Sequence, residues 1–113
     1  MRALALAAIL VAAGTPGATA SGGACFRHVR SDAQRELVRR ESGGDPRADN
    51  PDSTAYGCGQ LLRATRRQFG RMLGIHPDTA SAAQQMRMMS AYTDHRYGSD
   101  DAALDHHRRR RWY

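Results

Sequence analysis

The sequence predicts a small all-α domain of about four helices, with a long irregular loop or short hairpin between the first two. Three observations carry this. Apolar residues recur at helical spacing in separate stretches, clusters of glycine and proline fall between those stretches, and cap-forming residues stand at the start of the later ones.

The first helix is expected within residues 26–41, which hold no proline or glycine. Val29, Ala33, Leu37 and Glu41 recur there every fourth residue, with Val38 alongside. Glu41 therefore falls on the apolar stripe, whereas Glu36 lies one position off it and faces solvent among Arg35, Arg39 and Arg40. Gly43 and Gly44 end the helix. The next stretch, SGGDPRADNPDSTAYGCG at residues 42–59, is dense in turn formers and predicts turns or an irregular hairpin. A connection of this length in a compact domain is more often functional than incidental.

Leu61, Leu62, Thr65, Phe69, Met72 and Leu73 outline the second helix, which Gly74 and Pro77 close. Asp78 or Thr79 is expected to cap the third, with Ala82, Met86, Met89 and Tyr92 or Thr93 facing inward as far as Gly98. The methionines read as core filler. Ser99-Asp100-Asp101 starts the fourth with a cap and two acids in the first turn, and Arg108 to Arg111 place positive charge at its end, as the macrodipole favours.

Compartment is written at the start of the chain. A short basic opening, an apolar run from Ala3 to Ala13 and small residues around Ala18-Thr19-Ala20 follow the grammar of a secretory signal peptide spanning residues 1–20. The apolar run is too short for a permanent membrane span. Residues 21–113 then form one small domain, expected to be secreted to the cell exterior or cell wall, and monomeric. Cys25 and Cys58, even in number in an export context, are expected to pair as a disulfide worth roughly 3 to 4 kcal/mol, with two thiols as the alternative. The net charge is +6, carried entirely by arginine, so the protein is drawn to polyanions such as anionic cell-wall polymers.

A carboxyl group in the last turn of a helix and on its apolar face has both desolvation and the helix dipole working against its charge. Glu41 is expected to hold a proton near neutral pH, which suits a general acid for glycosidic-bond cleavage. The bland alternative is a helix-end glutamate paired with Arg40. His95, His106 and His107 do not have metal-ligand spacing, and no metal or other cofactor is expected. The basic run ending in Trp112-Tyr113 has the makings of a nucleic-acid contact, but export argues against such a partner.

Residues 41–62, ESGGDPRADNPDSTAYGCGQLL, resemble the lytic transglycosylase (soluble-lytic-transglycosylase-like) family of the lysozyme superfamily. The resemblance rests on Glu41-Ser42 at a helix end, Asn50 in a proline-containing loop, and Gly57-Cys58-Gly59-Gln60 opening the next helix. A second, less specific stretch runs from Ala91 through Tyr92 and Tyr97 to Ser99, and the chain finishes in Arg111-Trp112-Tyr113, where small actinobacterial and phage members tend to finish in Gly-Trp-Tyr. The resemblance implies cleavage of the β-1,4 bond between N-acetylmuramic acid and N-acetylglucosamine in peptidoglycan glycan strands. Glu41 would be the sole acid and base, Gln60 and Asn50 substrate contacts, and Ser42, Tyr56, Tyr92 and Tyr97 residues lining or bracing the site.

The sequence departs from the family near its end. Leu104 and Asp105 stand where the family carries Tyr and Asn, so the hydrogen bond that a tyrosine would give Glu41 must come from elsewhere. Two further readings follow: a lysozyme-type hydrolase using a water, with Asp45, Asp49 or Asp52 as a second carboxylate, and a catalytically silent wall-binding or assembly module.

Overall fold

The computed structural model describes residues 23–113; the signal-peptide reading of residues 1–20 lies outside them. The described chain is all-α. A short 3-10 helix, Ala24–His28, precedes α1 (Asp32–Ser42), α2 (Arg63–Leu73), α3 (Ala82–Tyr97) and α4 (Asp100–Arg110). None of these helices is long and apolar enough to cross a membrane.

The first helix does not run unbroken from Phe26. It divides at Val29 and Arg30, because Ser31 takes an extended conformation and its side chain accepts the Gln34 N–H, which caps α1 and stops the helix from extending backward. The first half becomes the 3-10 turn that carries Cys25. Arg30, set outside the helix by that break, reaches across to Asp100 and Asp94 of the later helices. Gly43, at φ 66, closes α1 by donating to the Val38 and Arg39 carbonyls.

Between α1 and α2 the loop holds only isolated antiparallel bridges, Asp49 to Tyr56 and Tyr56 to Leu61. It is the irregular hairpin that the turn formers imply. Leu61 is buried in that bridge, ahead of the helix rather than in it, and α2 begins at Arg63. Met72, expected on the apolar stripe, is 62% exposed; the inward side of α2 is Phe69 with Gly70, whose bare Cα lets the Ile75 carbonyl approach.

The cap of α3 is Ser81, not Asp78 or Thr79. Ser81 and Gln84 exchange hydrogen bonds in a capping box, and this reciprocal satisfaction of two amide groups outcompetes the earlier candidates. Ser99 caps α4 as expected, with Asp100 and Asp101 in the first turn.

The core lies where α3 packs on the 3-10 turn, α2 and α4, while α4 also packs on α1. Leu37, Val38, Phe69, Met86, Met88, Met89 and Ala103 are its fully or almost fully buried members. Full burial of a side chain such as Leu37 contributes about 1.5 to 3 kcal/mol, and Leu37→Ala would cost about 2 to 5 kcal/mol once the cavity is included. Gln34, buried among them, is satisfied by accepting the Arg30 N–H and donating to Ser90 Oγ.

A disulfide joins Cys25 to Cys58, 33 residues apart and both fully buried. It ties the 3-10 turn to the loop just before Gln60.

Candidate active site

Glu41 sits in the last turn of α1, below Leu37 and Val38 on the same face, and only 3% of it is exposed. Its Oε2 lies 2.6 Å from His107 Nε2, a hydrogen bond across 66 residues. Arg40 Nε meets Glu36 instead, at 2.9 Å, and Arg39 holds Glu36 as well. The Arg39 hydrogen bond, opposed by partial burial and aided by Arg40, keeps the Glu36 carboxyl down at about 2. Arg39 and Arg40 thus pair with the solvent-side glutamate, and the inward one meets a histidine.

His107 is reached because α4 buries Ala103, Leu104 and His107 on one face against α1 and α3. Its other ring nitrogen, Nδ1, is buried with no hydrogen-bond partner among the described residues. Beyond α4, Arg111 adopts φ 70 and its N–H bonds the His107 carbonyl, turning the chain back across the domain. Trp112 then packs edge-on to His106 under the Arg96 guanidinium, while Tyr113 enters the interior.

Tyr113 is only 2% exposed and donates to the Gly59 carbonyl oxygen at 2.6 Å. Its ring is 5.3 Å from Tyr92, 6.4 Å from Tyr97 and 6.2 Å from His107, centroid to centroid. Burial first, then the negative charge of Glu41, pushes the Tyr113 hydroxyl well above the usual phenol range. Burial likewise raises Tyr92 to about 12 and raises Tyr97, to which Glu41 also adds. These phenols therefore stay neutral, and the charge of Glu41 reaches two of them, Tyr97 and Tyr113.

The other expected site residues divide into two groups. Tyr92 and Tyr97 gather with Glu41 around Tyr113. Ser42, Gln60 and Asn50 have side chains engaged in holding the loop. Ser42 Oγ lies 2.8 Å from the Cys58 carbonyl and accepts the Gly44 N–H. Gln60, at φ 52, donates to the Ala48 and Gly57 carbonyls. Asn50 accepts the Asp52 N–H in a local turn on the exposed part of the loop. Tyr56 forms both bridges of the hairpin and lies beneath the Arg66 guanidinium.

Two positions were missed by sequence reasoning. His107 had a usable signal, since Ala103, Leu104 and His107 share one helical face. Gln85 had none: it accepts the Cys58 N–H at 2.8 Å and donates to the Pro46 carbonyl, pinning both ends of the loop to α3.

A groove of about 160 Å³ runs beside this cluster, walled by Gln60, Leu61, Thr65, Tyr92, Arg96 and Trp112. Tyr113 is common to groove and interior, lining the one and packing on His107 in the other. Among the described residues no group of three or more His, Cys, Asp or Glu is arranged to hold a metal ion. The arrangement offers a buried carboxyl with a histidine partner, one aromatic ring away from a polar and aromatic groove. No protein-family model, curated protein or solved structure matches the chain.

Proposed function

We propose that this protein is an exported enzyme that cleaves peptidoglycan, of the lytic transglycosylase type, with Glu41 as its acid and base. The observation that carries the reading is the position of Glu41: a nearly dry carboxyl in the last turn of α1, next to Ser42, whose Oγ donates to the Cys58 carbonyl of the loop before Gln60. The sequence resemblance supplies the substrate class and the reaction. Protonated Glu41 gives its proton to the glycosidic oxygen as the bond to the muramic C1 breaks. The carboxylate then takes the proton of that sugar's 6-hydroxyl, whose oxygen bonds C1 to leave a 1,6-anhydro end and consume no water. The groove by Gln60, Tyr92 and Trp112 is the natural place for a sugar, with rings to stack on and Arg96 for a carboxylate. The net charge of +6 favours residence on anionic wall polymer.

For catalysis Tyr113 must swing away from Glu41. That requirement favours a second reading, a wall-binding module that keeps the fold and does no chemistry, because the ring is locked by a hydrogen bond and three neighbouring rings.

Mass spectrometry of fragments released from purified peptidoglycan separates these. Anhydro ends with the wild type and none with Glu41→Gln are expected. Reducing ends would indicate a lysozyme-type hydrolase. Folded protein that pellets with peptidoglycan and releases nothing would leave the binding module.

A further inference from the structure

We propose that His107 is the positioning residue for Glu41, a neutral imidazole with its proton on Nε2, which it donates to Glu41 Oε2. The assignment rests on the cleavage reading only for its kinetic consequence; the protonation pattern stands on geometry alone.

Both side chains are almost wholly buried, 6% exposed for His107 and 4% for Glu41, and they meet at 2.6 Å, within hydrogen-bonding distance. The imidazole has three ways to carry protons here. An imidazolium, or a neutral ring protonated on Nδ1, places an N–H at Nδ1, where none of the described residues offers an acceptor. A neutral ring protonated on Nε2 leaves only a lone pair at Nδ1. A buried, unpaired donor is more costly than an unpaired nitrogen lone pair beside apolar atoms, so the Nε2 tautomer is selected.

The other groups facing the pair do not alter this. From the C-terminal segment comes the Tyr113 phenol and from α3 the Tyr97 phenol, both neutral because burial raises them. Asp100, whose charge also reaches Tyr113, is committed to Arg30. Arg96 of α3 lies over the Tyr97 and Trp112 rings, and His106, on the same helix as His107, is held toward neutrality by burial and the nearby arginines.

A donor fixed on Oε2 sets the plane of the carboxyl and stabilises the anion left once Glu41 has passed its proton to the leaving oxygen. The histidine proton stays on Nε2 throughout. His107 thus fills the hydrogen-bonding role that Leu104 cannot, from three residues further along α4.

The test uses the oxidised protein and two readouts. Nitrogen NMR of the His107 ring at pH 7 is expected to show a pyridine-like Nδ1 and a pyrrole-like Nε2. Two pyrrole-like nitrogens, or the reverse pattern, overturn the assignment whether or not the protein cleaves anything. In peptidoglycan cleavage, His107→Gln keeps an N–H donor near the Nε2 position and is expected to retain kcat within about threefold. His107→Phe, similar in size without a donor, is expected to lose kcat on the order of 100-fold with little change in KM. Because a donor favours the carboxylate, its loss also moves the alkaline fall-off of cleavage to higher pH in His107→Phe and leaves it in place in His107→Gln. A folded His107→Phe with wild-type kcat and pH profile overturns the positioning role. If His107→Phe does not fold, His107→Gln and the ring nitrogens decide. Wild-type protein that releases no fragments sinks the cleavage reading and leaves the nitrogen pattern as the judge of His107.

Discussion

The Tyr113 hydroxyl and the Gly59 carbonyl, 54 residues apart, form a buried hydrogen bond that fastens the chain beyond α4 to the loop before α2. Tyr113→Phe keeps the ring and removes the bond, stranding a buried carbonyl oxygen. The expected loss is about 1 to 3 kcal/mol. A domain of this size should then melt lower by about 4 to 8 °C for each kcal/mol, read by calorimetry. An unchanged melting temperature would mean that the tyrosine is held by its rings alone.

Gly59 has no room for a side chain. A Cβ there would stand 2.8 Å from the Tyr113 hydroxyl oxygen and 3.0 Å from Met89 Cγ. Gly59→Ala is expected to cost about 1 to 3 kcal/mol through overpacking. Removing the hydroxyl relieves the nearest of those clashes, so Gly59→Ala with Tyr113→Phe should be less destabilised than the two single changes summed. Urea denaturation of the four proteins measures that coupling, and strict additivity would place the strain at Met89 instead.

Asp100 gives the fold a dependence on acid. Burial pushes its carboxyl up, but hydrogen bonds from Arg30, Ser31 and Thr93 outweigh burial and leave it below the ordinary aspartate value of 3.8. A depressed carboxyl contributes its full stability above the ordinary value and loses it as pH falls through the folded one. Stability should therefore decline below about pH 4, and Asp100→Asn should flatten that part of the decline while costing about 1 to 3 kcal/mol at pH 7. Denaturation at several pH values tests both; an equally steep acid limb in the variant would assign it to other carboxylates, Glu36 first.

Reduction of Cys25–Cys58 releases a loop whose ends are 33 residues apart. The chain-entropy estimate is a loss of roughly 3 to 4 kcal/mol. Since Ser42 Oγ and Gln85 also grip Cys58, the loop should stay docked in whatever fraction remains folded. Unfolding with and without a reductant gives the difference, and the amide signals of Gly57 to Gln60 report the docking.

Helix content and the junction of α3 with α4 were legible because their signals are local. Ser99 with Asp100 and Asp101, the Gly98 stop and the Met86, Met89, Thr93 face all act within one turn. The first helix was misread because a hydrophobic period does not register a cap placed inside it: Ser31 interrupts a stripe that Val29 and Ala33 continue. Met72 was misplaced for the opposite reason, since α2 buries a narrower side than its sequence offers. Glu41 stood out through its own position. Periodicity could have placed His107 on the inward face of α4, but its pairing with Glu41 across 66 residues depends on how α4 lies over α1, which periodicity does not encode.

The separation between Glu41 and His107 also orders events in time. Helices α3 and α4 are joined through Gly98 and Ser99 alone, so their pairing closes a short loop and forms early. Docking of α1 on α4 requires a far longer closure and is expected to come later. The carboxyl of Glu41 is accordingly expected to be among the last groups to leave water as the chain folds, and a partial opening that lifts α4 from α1 would hydrate it while the disulfide still holds the loop. Amide exchange on the facing sides of α1 and α4 should then run faster than exchange in the middle of α3, and the two rates would measure separate free energies for exposing the carboxyl and for unfolding the domain.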